Sequence, residues 1–180
     1  RHRRRSTAST MPRHWRTSRR IFVDSMSDLF HPQVSLEFTA QTFAVMATLP
    51  RHTFQVLTKR PDRMQALLTN PFWRNQVDFW ARRGFYWADG TWEAIPWPLP
   101  NVWLGVSVED QRAADERIPL LLQTPAAVRF LSCEPLLGHL DLRPYLEHPG
   151  CTCAGEFAPC DVCDALGPRD DLHWVIVGGE

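Results

Sequence analysis

The sequence predicts an α/β fold, an incomplete (β/α) barrel with about five mostly parallel strands, a Trp-rich insertion and a Cys-rich insertion. Three observations lead there. Five short apolar runs each stop at a polar or charged residue: Ile21-Phe22-Val23 at Asp24, Phe54-Gln55-Val56-Leu57 at Thr58-Lys59-Arg60, Val102 to Val106 at Ser107-Val108-Glu109, Val128 to Leu131 at Ser132-Cys133-Glu134, and Trp174 to Val177 at Gly178-Gly179-Glu180. Nearly continuous apolar runs of this length suit strands buried on both faces, as in a parallel sheet. Helical patterns separate the runs at intervals of roughly thirty residues, the mark of repeated βα units. No Gly-rich phosphate fingerprint follows any run, and Gly178-Gly179 comes nearest. That favours a barrel over a dinucleotide-binding sheet. Five strands cannot close an eight-stranded barrel, so it is incomplete.

The elements follow in order. Residues 1–20 read as a basic, disordered lead-in, and 21–180 as the partial barrel domain with insertions at about 71–98 and 148–170. The first strand is expected at 21–24. Leu36, Ala40, Phe43, Ala44 and Ala47 recur at helical spacing, so 35–48 is an amphipathic helix that Pro50 ends. The second strand is 53–58. Pro61 sits where a first helical turn tolerates proline, with Met64, Leu67 and Leu68 as the apolar face behind it. Residues 71–98 hold five Trp whose spacing fits neither period, and Ala88-Asp89-Gly90-Thr91 suggests a small hairpin. Such aromatics either stack bases or sugars, or close a small core against the main body. The third strand is 101–107. Asp110 to Gln123 is helical, and Pro119 is expected to kink it or to start a second short helix. Strands at 127–132 and 173–177 complete the set.

Composition bounds the function. Apolar content of 44% and charge of 22% are ordinary for a globular chain. No apolar run approaches the ~20 residues needed to cross a bilayer. With no secretory pattern visible, a cytoplasmic protein without a membrane partner is expected. The net charge of zero hides an asymmetry: residues 1–20 carry eight Arg and no acid, and the other 160 carry 12 basic and 20 acidic groups. An acid-poor, Arg-rich start suits a nucleic-acid arm, a transit-like segment or a solvated leader.

In a parallel barrel the strand ends form the ligand-binding mouth. Asp24, Asp28, Lys59, Arg60, Glu109, Glu134 and Glu180 fall there. A mouth with both signs suits a zwitterionic or phosphorylated ligand, with Lys and Arg on the anion and Glu on amino or hydroxyl groups. Clustered carboxylates also supply acid and base where burial splits their pKa values. Lys59, Glu109 and Glu134 are the candidate catalytic residues, and Asp24, Ser25, Arg60, Ser107 and Glu180 the candidate ligand-binding ones. The alternative is that strand-end charges pair with each other and cap neighbouring helices.

The five cysteines are Cys133, Cys151, Cys153, Cys160 and Cys163. Clustering of the last four favours a metal over disulfides. Two close pairs suit a tetrahedral zinc knuckle, with His148 and His173 as substitute ligands. Cys153, Cys160 and Cys163 also form C-x6-C-x2-C, the three-thiolate arrangement of a substrate-binding iron–sulfur cluster, although Cys151 would tend to fill its open position. Cys133, beside Glu134, is either a nucleophile or an ordinary buried thiol.

The stretches RIFVDSMSDLF (20–30), FAVMATLPRHTFQVLTKR (43–60), WPLPNVWLGVSVEDQRAADERIPLLL (97–122), AVRFLSCEPLLG (127–138) and WVIVGGE (174–180) resemble the phage-associated gene product 37/68 family, a domain of unknown function found in phages and many bacteria. The resemblance implies a diverged radical S-adenosylmethionine barrel. Members carry a three-Cys motif before the strand matching Ile21-Phe22-Val23 and continue past the Gly-Gly-Glu at 178–180, so the chain, which begins at Arg1, resembles an internal fragment. Cys153, Cys160 and Cys163 repeat that motif's spacing at a different place, and the cluster role is not transferred to them. The family-matching strand-end positions are Asp24, Ser25, Lys59, Arg60, Ser107, Glu109, Glu134 and Glu180.

The expectation is therefore an internal fragment whose full-length form is a radical-S-adenosylmethionine-like enzyme acting on an unidentified small molecule or nucleic acid, the fragment itself lacking the cluster and activity. In that reading the iron–sulfur cluster and S-adenosylmethionine belong to the full-length family form, and zinc to the Cys-rich insertion. The alternative is a non-catalytic nucleic-acid-binding module with a zinc knuckle and an Arg-rich arm.

Overall fold

A computed structural model describes residues 11–24, 26–84, 94–146 and 172–178. The hairpin expected at 88–91, the Cys-rich insertion and the first ten residues lie outside them.

Five strands, β1 (Arg20–Val23), β2 (Thr53–Thr58), β3 (Val102–Ser107), β4 (Val128–Cys133) and β5 (Trp174–Val177), form one sheet in the order β1-β2-β3-β4-β5. Every neighbouring pair is parallel. The expected α/β class is thus observed, with strand bounds within a residue of the sequence reading. An order without reversal has no switch point. Crossovers of one hand then stack their helices on one face and leave the other concave, as in part of a barrel.

The helices form for local reasons. In α1 (Leu36–Ala47) the Ser35 hydroxyl accepts from Phe38 N–H at 3.1 Å, capping the first turn, and Ala40, Phe43, Ala44 and Met46 are buried. Pro61 opens α2 (Pro61–Leu68) without wasting a donor, because a first-turn N–H has no partner inside the helix. In α4 (Gln111–Leu122) the Asp110 carboxylate accepts from Ala113 N–H at 2.8 Å. Pro119 lies inside α4 and does not begin a second helix. Its missing N–H falls in the last turn and frees a carbonyl at exposed Asp115, where water can reach it. A short turn, α5 (Arg143–Leu146), follows β4.

The largest departure from expectation is α3 (Pro71–Gly84), a 14-residue helix in the segment where no period was found. The Asn70 side chain accepts from Phe72 N–H and Trp73 N–H at 2.9 and 3.3 Å and caps it. Trp73, Val77 and Ala81 form its buried stripe at four-residue spacing. Phe72 and Phe79, 79% and 48% exposed, blurred that stripe by placing apolar residues on the outer face. Trp73 packs edge-on against Phe43 of α1 at 5.1 Å between centroids, and Trp97 leans on both. Trp97 also donates its indole N–H to Leu68 O at 3.3 Å. These Trp therefore close a core rather than form a stacking surface.

The core lies between the helices and one face of the sheet. Val56, Leu104, Val106 and Leu131 supply the sheet side, and Phe43, Met64, Ile118 and Leu121 the helix side. The opposite face carries Phe22, Gln55 and Trp103 in one register row and Leu57, Gly105, Phe130 and Trp174 in the row nearer the strand ends. Phe130 is fully buried because its ring lies flat over Gly105. A Cβ at Gly105 would stand 2.5 Å from Cε2 and Cζ of that ring. Gly105→Ala should therefore destabilise the protein by about 1–3 kcal/mol in urea unfolding. Phe130→Leu in the same chain should recover part of the loss, because the two side chains compete for one space. Strict additivity of the two substitutions would show that the contact is not what requires glycine.

Candidate active site

Register decides which strand-end residues meet. Ser107 of β3 pairs with Ser132 of β4, and Thr58 of β2 with Val106 of β3. The backbone continues past these pairs, with Val108 N–H donating to Ser132 O at 2.8 Å. One step onward sets Lys59 beside Ser107. Two steps onward set Glu109 beside Glu134, and Glu134 beside Gly178, since Cys133 pairs with Val177. Alternation along each strand then puts Lys59, Ser107, Ser132, Glu109 and Glu134 on the concave face. Gly178 makes room for this set: a Cβ there would overlap the Glu134 carboxylate.

Glu109 is the most buried charge of the group, at 8% exposure. Its Oε1 forms an ion pair with Lys59 Nζ, and its Oε2 accepts from Arg117 Nη1 at 2.9 Å. The same Arg117 nitrogen donates to Ser107 O at 2.7 Å, so the guanidinium joins helix α4 to the end of β3. Burial pushes the Glu109 carboxyl upward. The Lys59 contact and the Arg117 charge outweigh it and hold the group below the usual carboxylate range. Lys59 keeps 57% of its side chain exposed, so the network is anchored at Arg117 and open at Lys59.

Asp28 belongs to a second network. Its carboxylate accepts from Thr58 Oγ1 at 2.8 Å, Phe30 N–H at 2.9 Å, Lys59 N–H at 3.2 Å and Arg60 Nη1 at 2.8 Å. These bonds tie the loop after β1 to the end of β2. Arg63 of α2 fastens the same loop through His31 O and Val34 O at 2.9 and 2.6 Å. Burial raises the Asp28 carboxyl, but Thr58, the two backbone donors and Arg60 together lower it further than burial raises it. Arg60 has the opposite strand parity to Lys59 and is engaged in this joint.

The structure thus brings together Lys59, Ser107, Glu109 and Glu134. Asp24 lies half-buried at the end of β1 in a left-handed conformation, φ 60°, that Asp tolerates better than most residues. Ser25, Glu180, Cys151, Cys153, Cys160, Cys163 and His148 lie outside the described residues. His173 is committed elsewhere, its Nδ1 accepting from Arg129 N–H at 3.2 Å near the foot of β5. Cys133 is fully buried on the helix-facing side, and burial followed by the Glu134 charge pushes its thiol up. Of the two readings of Cys133, this environment fits the ordinary buried thiol. No group of three or more His, Cys, Asp or Glu suited to a metal occurs among the described residues. A hollow of about 300 Å³ lies along α3, lined by Arg74, Asp78 and Trp97 among others, with no strand-end residue in it. Arg117 escaped the sequence reading because it sits eight residues past Glu109, on a helix. The signal for it was its place two turns into α4, where a long basic side chain reaches back to the strand end.

A family model described as a protein of unknown function (DUF5131) matches residues 1–180, and the chain belongs to that family. No curated protein and no solved structure matches it. No helix among the described residues is long and apolar enough to cross a membrane.

Asp28 generates a pH prediction. Its folded pKa lies below its ordinary value of 3.8, so its contribution is complete above that pH and is lost as pH falls below it. Asp28→Asn should cost about 1–3 kcal/mol near neutral pH. It should also flatten the acid limb of a stability-against-pH curve measured by urea unfolding from pH 6 down to roughly 2. An acid limb as steep in the variant as in the parent would remove Asp28 as its source.

Proposed function

We propose, starting from membership in this family of unknown function, that the strand-end mouth is the active site of an enzyme acting on a small molecule or nucleotide. By its resemblance to the phage gene product 37/68 proteins, the fold is read as a radical-S-adenosylmethionine-like barrel, working in the cytoplasm. The observation that carries this reading is the grouping of Lys59, Ser107, Glu109 and Glu134 on one face at the carboxyl edge of a parallel sheet. Barrel enzymes build their sites at that edge from residues of several strands, as here. Lys59 suits an anionic group of the ligand, Glu134 an amino or hydroxyl group, and Glu109 the movement of a proton. Ser107 supplies a hydroxyl, and Asp24, Ser25 and Glu180 are the remaining ligand contacts in this reading. Arg60 joins them only by leaving Asp28.

An iron–sulfur cluster of the substrate-binding kind needs three thiolates. Cys133 is the one cysteine among the described residues, and it is buried in the core with its thiol pushed up. The described residues therefore do not fit such a cluster, and no step is routed through one. Zinc at Cys151, Cys153, Cys160 and Cys163 remains part of the proposal on their spacing alone.

S-adenosylmethionine binding, measured by calorimetry on protein purified without oxygen, tests the reading. Binding is expected, and Glu134→Gln should weaken it about tenfold, the effect of one charge-assisted hydrogen bond. Affinity unchanged by the substitution would remove Glu134 from the site, and absence of binding would remove the S-adenosylmethionine reading.

A second reading, a nucleic-acid-binding module with a zinc knuckle, draws on the eight arginines in residues 1–20. It predicts binding to a DNA or RNA oligonucleotide that weakens steeply with salt and is lost when residues 1–20 are removed. It also predicts one equivalent of zinc by metal analysis. Salt-independent binding or a metal-free protein would count against it.

A further inference from the structure

We infer that the foot of the sheet, where the strands begin, binds a single-stranded nucleic acid, with phosphates on Arg16, Arg19 and Arg20 and one base on Trp174. This rests on the nucleic-acid reading above, gives it a built surface, and needs no zinc.

Charge is segregated between the two ends of the strands. The residues that lead into the five strands, 12–19, 48–52, 97–101, 123–127 and 172–173, include no Asp or Glu. The residues that leave the strands include Asp24, Asp28, Glu109, Asp110 and Glu134. Cations differ in the same way. At the mouth, Lys59, Arg60 and Arg117 each pair with a carboxylate. At the foot, Arg16, Arg19, Arg20 and Arg51 are exposed, and none pairs with a carboxylate among the described residues. A surface of one sign without counter-charges attracts a polyanion.

This surface is held in place by the residues before β2. His52 is fully buried, and its Nδ1 accepts from Arg19 N–H at 3.2 Å. Its Nε2 therefore carries the ring proton and donates to Pro12 O at 2.9 Å. Arg51 Nη2 donates to Arg13 O at 2.7 Å, and Ser18 Oγ donates to Arg51 O at 2.6 Å. Thr53 N–H donates to Arg19 O at 2.9 Å, which extends the β1–β2 ladder to the foot. The arginines thus stand on backbone that is already ordered, which lowers the entropic cost of binding. His52 and Arg51 are positioning residues.

Aromatic rings among the guanidinium groups favour a single strand. Arg19 lies 4.7 Å over the Trp15 ring, and Arg20 lies over Trp103 and Trp174. Trp174 is 38% exposed, so an open ring stands beside a cation. A base on that ring and a phosphate on Arg20 make the combination that single strands use, whereas a duplex keeps its base faces stacked. An anionic membrane fits less well, because residues 12–19 and 48–52 expose no large apolar side chain to enter a bilayer.

The full chain is titrated into fluorescein-labelled oligo(dT) and oligo(U) of about 15 nucleotides and followed by anisotropy. Both should bind, the tighter one naming the preferred sugar, and affinity should fall steeply between roughly 50 and 200 mM NaCl. Arg16→Gln with Arg20→Gln should weaken low-salt binding about tenfold and reduce the log–log salt slope by about 1 to 1.5, with the urea midpoint unchanged. Lys at the same two positions should keep most of the slope. Trp174→Leu should weaken binding at least about fivefold with the slope unchanged, because stacking releases no counterions. Trp174→Phe should recover most of that loss. Failure of the parent to bind either oligonucleotide overturns this inference and the nucleic-acid reading together. Binding that is abolished when Arg1, Arg3, Arg4 and Arg5 are replaced by Gln, but is untouched by Arg16→Gln with Arg20→Gln, overturns this inference alone. So does binding to a duplex of the same length as tight as to the single strands, or binding to phosphatidylserine vesicles tighter than to either oligonucleotide.

Discussion

Parallel pairing in one unbroken strand order is the constraint on which the site depends. In a parallel sheet, residues in one register row point to the same face, and successive rows alternate. Once Thr58 is paired with Val106, and Ser107 with Ser132, the placement of Lys59, Glu109 and Glu134 on the concave face follows. A slip of one residue in β2 would send Lys59 to the helix side and Arg60 to the mouth. Packing resists that slip: Val56, Leu104 and Leu131 are fully buried or nearly so, and a slip would turn Val56 out of the core.

The concave face is graded along the strands. At its foot, the Arg20 guanidinium lies 5.3 Å from the centroid of Trp103 and 6.0 Å from that of Trp174. The next row is closed by Phe130 over Gly105. Above it come Ser107 and Ser132, both nearly buried, and then Glu109 and Glu134. An apolar floor under a hydroxyl layer lowers the local dielectric beneath the charged layer. Each charge at the mouth is therefore stronger toward a partner and more costly without one. Glu109 illustrates this: the more buried of the two strand-end glutamates is the one with two cationic partners.

Much of this was legible in the sequence, and the rest was hidden for specific reasons. The five strands were readable because fully buried parallel strands leave short continuous apolar runs. Helix α3 was not, because Phe72 and Phe79 on its outer face erase the contrast between its two sides. Asp28 was read as one more charge at the mouth. Its role as a joint depends on the loop after β1 folding back onto β2, a contact thirty residues apart that no local pattern encodes. Arg117 was hidden for the same reason on a shorter scale: its partners are Ser107 and Glu109, on the preceding strand and loop. Cys133 could be read as a nucleophile or a buried thiol, and strand alternation decides for the second, because adjacent strand residues face opposite ways. Alternation therefore separates the thiol from the carboxylate that suggested its role.

The two acidic networks at the mouth separate joint from site. Asp28 has four different donors, two of them backbone, and its charge is spent on holding one loop to one strand. A ligand that drew Arg60 away would weaken the joint that shapes the mouth, so Arg60 is poorly suited to binding. Glu109 is held from behind by a fixed guanidinium and from the front by a flexible, exposed ammonium. Only the Lys59 side of this pair is exposed, so water can solvate the ammonium when it turns away. Breaking the Lys59 contact is therefore cheap while the Arg117 contact persists. A network rigid on its protein side and loosely held on its solvent side can exchange an internal partner for a ligand without disturbing the strands that present it.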